Sequence, residues 1–333
     1  MNAECRMKDK SLSRFTLHVF TSSLFRLLFY LLHSALCILH FPAHVSRLKT
    51  LCLLCVLSPV CAFAAFESVG ISARPMGMGG AYVALADDTN AVVWNPAGLA
   101  RLNERQVGLS YLELYGLVNY SFLAWAQPLR DKPNIAFSLS SSSDTDGLYQ
   151  ELVLAASAAQ PVWENLSLGI NLKYLSSAAS IGEIAVGSGR GISVDVGAQY
   201  ALARGRLMVG LALPNLLSYV AYSREALKHA EAASYSERLT RESRIGVAAQ
   251  LDLISPKLSD TVAAFELTNG SPVFGLEHQV RNASLRLGWR LTEGVSRGLT
   301  VGLGYRLGNF QLDYGFVSGR YDSQTSLFSV TLY

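Results

Sequence analysis

The sequence predicts an all-β fold, a transmembrane antiparallel β-barrel of about fourteen strands, behind a small-residue segment that is neither strand nor helix. Two observations carry this. Short segments of alternating hydrophobicity, each about the length a tilted membrane strand needs, follow one another from residue 105 to the end. All five cysteines (Cys5, Cys37, Cys52, Cys55, Cys61) precede residue 65, so the rest of the chain has neither a disulfide framework nor a cysteine metal site.

The chain reads as three parts. Residues 1–64 are an upstream extension plus a signal peptide: Arg47 and Lys49 make a basic start, 51–60 an apolar core, and Ala62-Phe63-Ala64 a small-residue cleavage site. Cleavage is expected near Ala64. Residues 1–44 add a second apolar stretch that one signal peptide does not need, so translation is expected to start near Val45. Residues 1–64 hold seven of the 28 basic and two of the 25 acidic residues, leaving 21 against 23 in the remainder. A slightly acidic remainder with no clustered basic face excludes nucleic acid as a partner.

Residues 65–104 form the second part. Their centre is Arg74-Pro75-Met76-Gly77-Met78-Gly79-Gly80-Ala81-Tyr82, followed by Asp87-Asp88 and Asn95-Pro96-Ala97. Gly77, Gly79, Gly80 and the alanines suit close packing against other backbone. Asn95-Pro96 predicts a helix start, with Asn as the cap and Pro at the first helical position.

This stretch resembles the N-terminal hatch of the FadL/TodX family of outer-membrane long-chain fatty-acid transporters, nearest to a short branch in spirochaetes and Bacteroidetes. The resemblance rests on the small-residue run, on Asp87 and Asp88, and on Asn95, Pro96 and Ala97. It implies fourteen strands, a plug in the lumen, assembly by the outer-membrane barrel machinery, contact with outer-membrane lipid, and a monomer. It also implies a hydrophobic cargo, captured by the third and fourth outer loops.

The third part, 105–333, is the barrel. Strands are expected near 105–114, 117–127, 134–143, 149–159, 165–176, 189–201, 205–213, 240–251, 260–268, 272–280, 282–291, 298–307, 309–317 and 324–333. The pattern is plainest where Leu299, Val301, Leu303, Tyr305 and Leu307 alternate with Thr300, Gly302, Gly304 and Arg306. In the segment before it, Leu285, Leu287 and Trp289 oppose Ser284, Arg286, Gly288 and Arg290. Arg286, Arg290 and Arg306 on the minority face predict a polar lumen. Even strand number closes a barrel so that no edge faces lipid. Long outer loops are expected at 177–188 and 214–239, with a short helix over 224–237. Leu216, Leu217, Tyr219 and Tyr222 make the second of these apolar and are the candidate ligand-binding residues. Gly182, Gly187, Gly189 and Gly191 are expected to loosen the wall for a lateral exit. The terminal strand ends in Tyr333, which falls on the face opposite Phe328, Val330 and Leu332.

No catalytic or metal constellation stands out. His229 and His278 are the two histidines after residue 64, and they read as solvated or structural. Gly77-Met78-Gly79-Gly80 does not follow a strand in a βαβ unit, so a phosphate cradle and its nucleotide cofactor are not expected. Asp87 and Asp88 are expected to pin the plug by bonding lumen arginines. The reading is therefore a non-enzymatic outer-membrane transporter of hydrophobic molecules, most plausibly long-chain fatty acids, with no cofactor. The alternative is a barrel scaffold for secretion or attachment of other surface proteins. An open apolar cavity above the plug favours the first, and a filled lumen under a broad loop platform the second.

Overall fold

The computed structural model describes residues 66, 70–114, 116–225, 231–291, 298–318 and 324–333. The leader, its cleavage site, the 1–44 extension and His229 lie outside the described residues.

Among the described residues fifteen strands follow one another: β1 Gln106–Leu114, β2 Val118–Gln127, β3 Asn134–Asp144, β4 Tyr149–Trp163, β5 Leu166–Ile181, β6 Ile184–Leu202, β7 Leu207–Arg224, β8 Ala233–Glu237, β9 Arg244–Gln250, β10 Thr261–Thr268, β11 Ser271–Val280, β12 Ala283–Arg290, β13 Gly298–Leu307, β14 Phe310–Ser318 and β15 Gln324–Leu332. All pairings are antiparallel, each strand except β8 having a partner on both sides, and β1 pairs with β15, from Val107 opposite Leu332 to Leu114 opposite Thr325. The result is a closed barrel of 14 wall positions. β8 is not a further position. It continues the line of β9, pairing with the outer end of β7 while β9 pairs with its inner end.

Period-two alternation decides which side chains face out. Leu285, Leu287, Trp289, Leu299, Leu303 and Tyr305 are all about half exposed, while Arg286, Gly288, Thr300 and Gly302 face inward. An apolar exterior around a polar interior is the inverse of a soluble barrel and suits lipid. No helix among the described residues is long and apolar enough to cross a membrane.

Two expectations change. The third outer loop is not a loop: β5 and β6 run through 177–188 and turn at Gly182 and Glu183. Most of 214–239 is also wall, because β7 continues to Arg224 and β8 occupies 233–237, where a helix was expected. Pro214 looked like a strand end because proline donates no ladder bond. The strand passes it by a bulge. Leu213 opposes Val196 and Leu217 opposes Val194, so β7 carries two extra residues and keeps its phase. Asn215, within the bulge, takes a left-handed backbone (φ 55°) that asparagine tolerates.

The expected glycine hinges are paired wall as well. Gly187, Gly189 and Gly191 sit in unbroken ladder with both β5 and β7.

Candidate functional site

Residues 70–104 lie inside the barrel, bonded to inward side chains from strands all round it. The segment holds helix α1 (Ala73–Gly77), helix α2 (Ala91–Trp94) and a 3-10 turn over Pro96–Arg101. As the sequence predicts, Asn95 caps that turn with Pro96 in its first turn, and its side chain accepts from the Ala97 N–H at 3.1 Å. The helix is 3-10 rather than α.

Asn95 is fully buried and does more than cap. Its Nδ2 donates to Val83 O at 2.8 Å and to Ala198 O of β6 at 3.1 Å, tying segment to wall. Asn95→Ala removes the cap and both Nδ2 bonds, while Val83 O keeps the Gln199 Nε2 donor at 3.1 Å, and is expected to weaken the seating of the segment by about 1–3 kcal/mol. Hydrogen exchange of residues 80–100 measures this directly. Full protection in the variant would remove Asn95 from the tether.

The wall yields to the segment by having no side chains where they touch. A Cβ on Gly275 would lie 2.6 Å from Met78 O, and one on Gly288 would collide with Gly79 N. Gly169 and Gly197 make room in the same way for Pro96, Ala97 and Asn95, and Gly210 for Val83. The segment's own glycines answer them. A Cβ on Gly77 would lie 2.8 Å from Gly302 Cα, and one on Gly79 2.8 Å from Phe274 O. Gly79 and Gly80 also have φ of 67° and 87°, a backbone that L side chains avoid. The predicted small residues are therefore half of a backbone-on-backbone contact whose other half is spread over the strands.

Asp87 and Asp88 bond within the segment rather than to a lumen arginine, and the link to the wall runs through Arg74. Arg74 Nη1 donates to Asp87 Oδ1 at 2.8 Å and to Asp88 Oδ2 at 2.9 Å. Its Nε reaches Glu277 of β11 at 3.2 Å. Arg286 then bonds the same Glu277 at 2.7 Å and Asp313 of β14 at 2.6 Å. Arg286 is thus one carboxylate removed from the acidic pair. Arg290 contacts Met76 Sδ, and Arg306 lies exposed at the inner rim, beside Glu104 and 3.9 Å over the Tyr333 ring. The reason is reach: Arg74 lies beside Asp88 within the segment, so the wall arginine need not extend into it.

Burial works against the charge of Arg74, but the Glu277, Asp87 and Asp88 carboxylates outweigh it and hold the guanidinium well above its usual pKa. Burial also pushes the Tyr82 phenol well above its usual value. It stays protonated and donates to Asp88 Oδ2 at 2.8 Å. On β10, the strand next to that of Glu277, Glu266 accepts two successive backbone N–H groups, Tyr82 at 2.8 Å and Val83 at 2.9 Å. Arg244 lies over the Trp94 ring at 5.1 Å and is paired with Glu242 at 2.8 Å. Arg74, Glu277, Glu266 and Asp313 were missed as site residues. Arg74 stood in the recognised stretch, but nothing local pairs it with an acid 203 residues away.

Above the segment is a cavity of about 110 Å³. Val92, Val93, Val153 and Leu175 give it an apolar side, and Ser138, Ser142, Asn171 and the Lys173–Asp195 pair (2.7 Å) a polar one. Pro214, Asn215, Leu239 and Glu242 also line it. Those four residues mark a gap in the wall. β7 has β9 as its partner up to Ala212 and β8 from Val220, with no ladder between them. Single bonds bridge the gap: Glu242 N to Pro214 O at 3.1 Å, Asn215 Nδ2 to Thr240 O at 3.2 Å, and Leu239 N to Ser218 Oγ at 2.9 Å.

The candidate ligand residues divide around this strand. Leu217 and Tyr219 point outward, 62% and 55% exposed, beside the gap on the lipid side. Leu216 sits in the bulge, and Tyr222 faces inward near the outer end. They do not form one groove. His278 shares a hydrogen bond with Thr261 at 2.9 Å, a structural placement.

No protein-family model matches the chain, and neither does any curated protein. Solved structures match in fold. The Ralstonia pickettii toluene transporter TbuX aligns with a TM-score of 0.54 at 13% identity, over 80% of this chain and 98% of that one. The Pseudomonas putida toluene transporter TodX gives 0.53 at 11%, over 80% and 97%. A Pseudomonas aeruginosa FadL homologue gives 0.52 at 13%, over 79% and 98%.

Proposed function

We propose that this chain is an outer-membrane channel for uptake of hydrophobic small molecules, with residues 70–104 as its hatch and the gap beside β7 as its exit to lipid. One observation carries the reading: the only ladder-free stretch of β7 opens beside the cavity, and the same four residues line both. A solute above the hatch is then separated from the membrane by three single hydrogen bonds. Leu217 and Tyr219 supply an apolar surface where it emerges. The fold shared with toluene transporters and a FadL homologue supports the same class of cargo.

The cavity's size speaks to the cargo. At about 110 Å³ it is smaller than the engineered cavity of about 150 Å³ that holds benzene. At rest it takes a compact molecule with one polar end. A longer apolar chain enters only once the hatch shifts. The scaffold alternative loses ground because the described outer turns, such as Gly182-Glu183 and Asn269-Gly270, are tight and make no platform.

A staple across the gap tests the reading. Cysteines at Ser218 and Leu239, positions already joined by a 2.9 Å bond, are expected to close a disulfide in an otherwise cysteine-free mature chain. Uptake of labelled toluene and of a fluorescent fatty acid by producing cells is expected to fall at least tenfold on oxidation and to recover on reduction. Undiminished uptake through the oxidised staple would refute the lateral route. Uptake no faster than in cells lacking the protein would leave the scaffold as the working model.

A further inference from the structure

We propose that the outer end of the lumen is a recognition site for an organic ammonium ion. The inference deepens the uptake reading by naming the polar end of the cargo, and it rests on side chains that the hatch and the gap do not use.

The wall is uneven in height. A membrane strand needs roughly 9–11 residues, yet β4, β5, β6 and β7 have 15, 16, 19 and 18. Their outer ends stand clear of the hydrocarbon, and one row of ladder partners crosses them there. Glu151 opposes Ser177, Ser177 opposes Gly189, Gly189 opposes Tyr222, and Tyr222 opposes Tyr235 of β8. Partners in register share a face of the sheet. Glu151 lines the cavity, which makes that face the lumen.

The row is built around rings. Tyr222 and Tyr235 stack with centroids 5.0 Å apart and planes 19° apart. Gly189 gives them room, since a Cβ there would lie 2.7 Å from the Tyr222 ring. Tyr149, two residues from Glu151 and on its face, donates to the Glu151 carboxylate at 3.0 Å. Glu237 follows Tyr235 by two residues and shares its face.

The charges here are unbalanced. Glu151 takes hydrogen bonds from Phe66 N at 2.8 Å, Ser142 Oγ at 3.4 Å and Tyr149 OH, all neutral donors. Among the described residues neither Glu151 nor Glu237 has an ion-pair partner. The described cations nearby are engaged elsewhere: Arg224 donates to the Glu231 carbonyl at 2.9 Å, and Lys173 is paired with Asp195. Tyrosine faces attract a cation through their quadrupole, and aromatic groups beside carboxylates are the chemistry that holds substituted ammonium ions. The same carboxylates repel an anionic head group. An aryl- or alkylammonium would set its charge among Tyr149, Tyr222, Tyr235 and Glu151, with its apolar end toward Val93 and Leu175.

Equilibrium binding tests this apart from transport. Full-length protein in an uncharged maltoside detergent, its barrel verified by heat-modifiable gel mobility, is titrated calorimetrically with benzyltrimethylammonium, its neutral carbon isostere neopentylbenzene, and phenylacetate. The cation is expected to bind at least about tenfold tighter than the isostere, with phenylacetate weakest. Glu151→Gln and Tyr235→Leu are each expected to remove most of that preference, and lipid-facing Leu312→Ala none of it. Equal affinity for cation and isostere would overturn the ammonium site and leave hydrophobic uptake standing. No binding of the cation would overturn it too, and the staple experiment then decides uptake separately. A preference that survives Glu151→Gln and Tyr235→Leu would place the cation elsewhere and end the proposal.

Discussion

Gly288→Val is expected to unseat the hatch while leaving the barrel closed. Gly288 faces inward on β12, where any Cβ collides with Gly79 N and with the Thr300 hydroxyl. Valine suits a strand, and its ladder partners Gly275 and Thr300 keep their bonds, so the wall has no reason to yield. The segment, tied to the wall by separate bonds rather than by a continuous ladder, is the partner that moves. Residues 77–80 must move off the wall, and the bond from Thr300 Oγ1 to Gly77 O at 3.1 Å is lost with them. Overpacking of this kind costs about 1–3 kcal/mol when the surroundings adjust, and the adjustment here is displacement of the plug. In planar bilayers the variant is expected to show ion-conducting steps where the parent is nearly silent, with residues 70–104 newly open to protease. Leu287→Val, one residue away and facing lipid, is the matched control. A silent Gly288→Val channel with normal heat modifiability would mean that wall and segment adjust together.

Arg74→Met carries the second large effect. The guanidinium joins three carboxylates and is 17% exposed as a side chain, so its loss leaves buried Asp88 with neutral donors only and Asp87 with Arg101 at 3.9 Å. Breaking a buried ion pair from one side typically costs about 3–5 kcal/mol. The segment's opening free energy, read by hydrogen exchange at residues 74–95, is expected to fall by that order. Glu277 retains Arg286, so the strands β11 and β12 are expected to keep their protection. Arg74→Lys rescues little, because a single ammonium cannot fork between the aspartates and Glu277. The double variant Arg74→Met, Asp88→Asn is expected to be more stable than Arg74→Met alone, since it removes one stranded charge. Additive losses would show that the pair is not coupled.

The barrel was legible because its rule is local. Leu285, Leu287 and Trp289 declare one face of β12 and Arg286 and Gly288 the other without reference to any other strand. Residues 74–99 were legible as a packed non-strand segment for a similar reason, since the Asn95 cap and the run from Gly77 to Gly80 are local chemistry. What they pack against was not. Glu277 and Glu266 come from strands more than 180 residues further on, and an inward acid on a strand looks the same whether it meets water or a plug. The β7 gap was hidden for a different reason. A strand that takes up two extra residues at Pro214 and Asn215 keeps its parity, while the proline argues for an ending. The outer loops were accordingly drawn too long, and Leu217 and Tyr219 were assigned to a groove when they face outward.

The seam between β1 and β15 joins the first strand of the wall to the last, and the hatch is the stretch of chain immediately before β1. The vessel is therefore sealed by its final strand around contents that were synthesised first. The hatch has to be inside, and compact enough to be enclosed, at the moment of sealing. Its attachments span most of the sequence, and such non-local closure makes assembly slow. On the uptake reading, opening is a movement of this segment within a closed ring of strands, with its downstream end always tethered to β1.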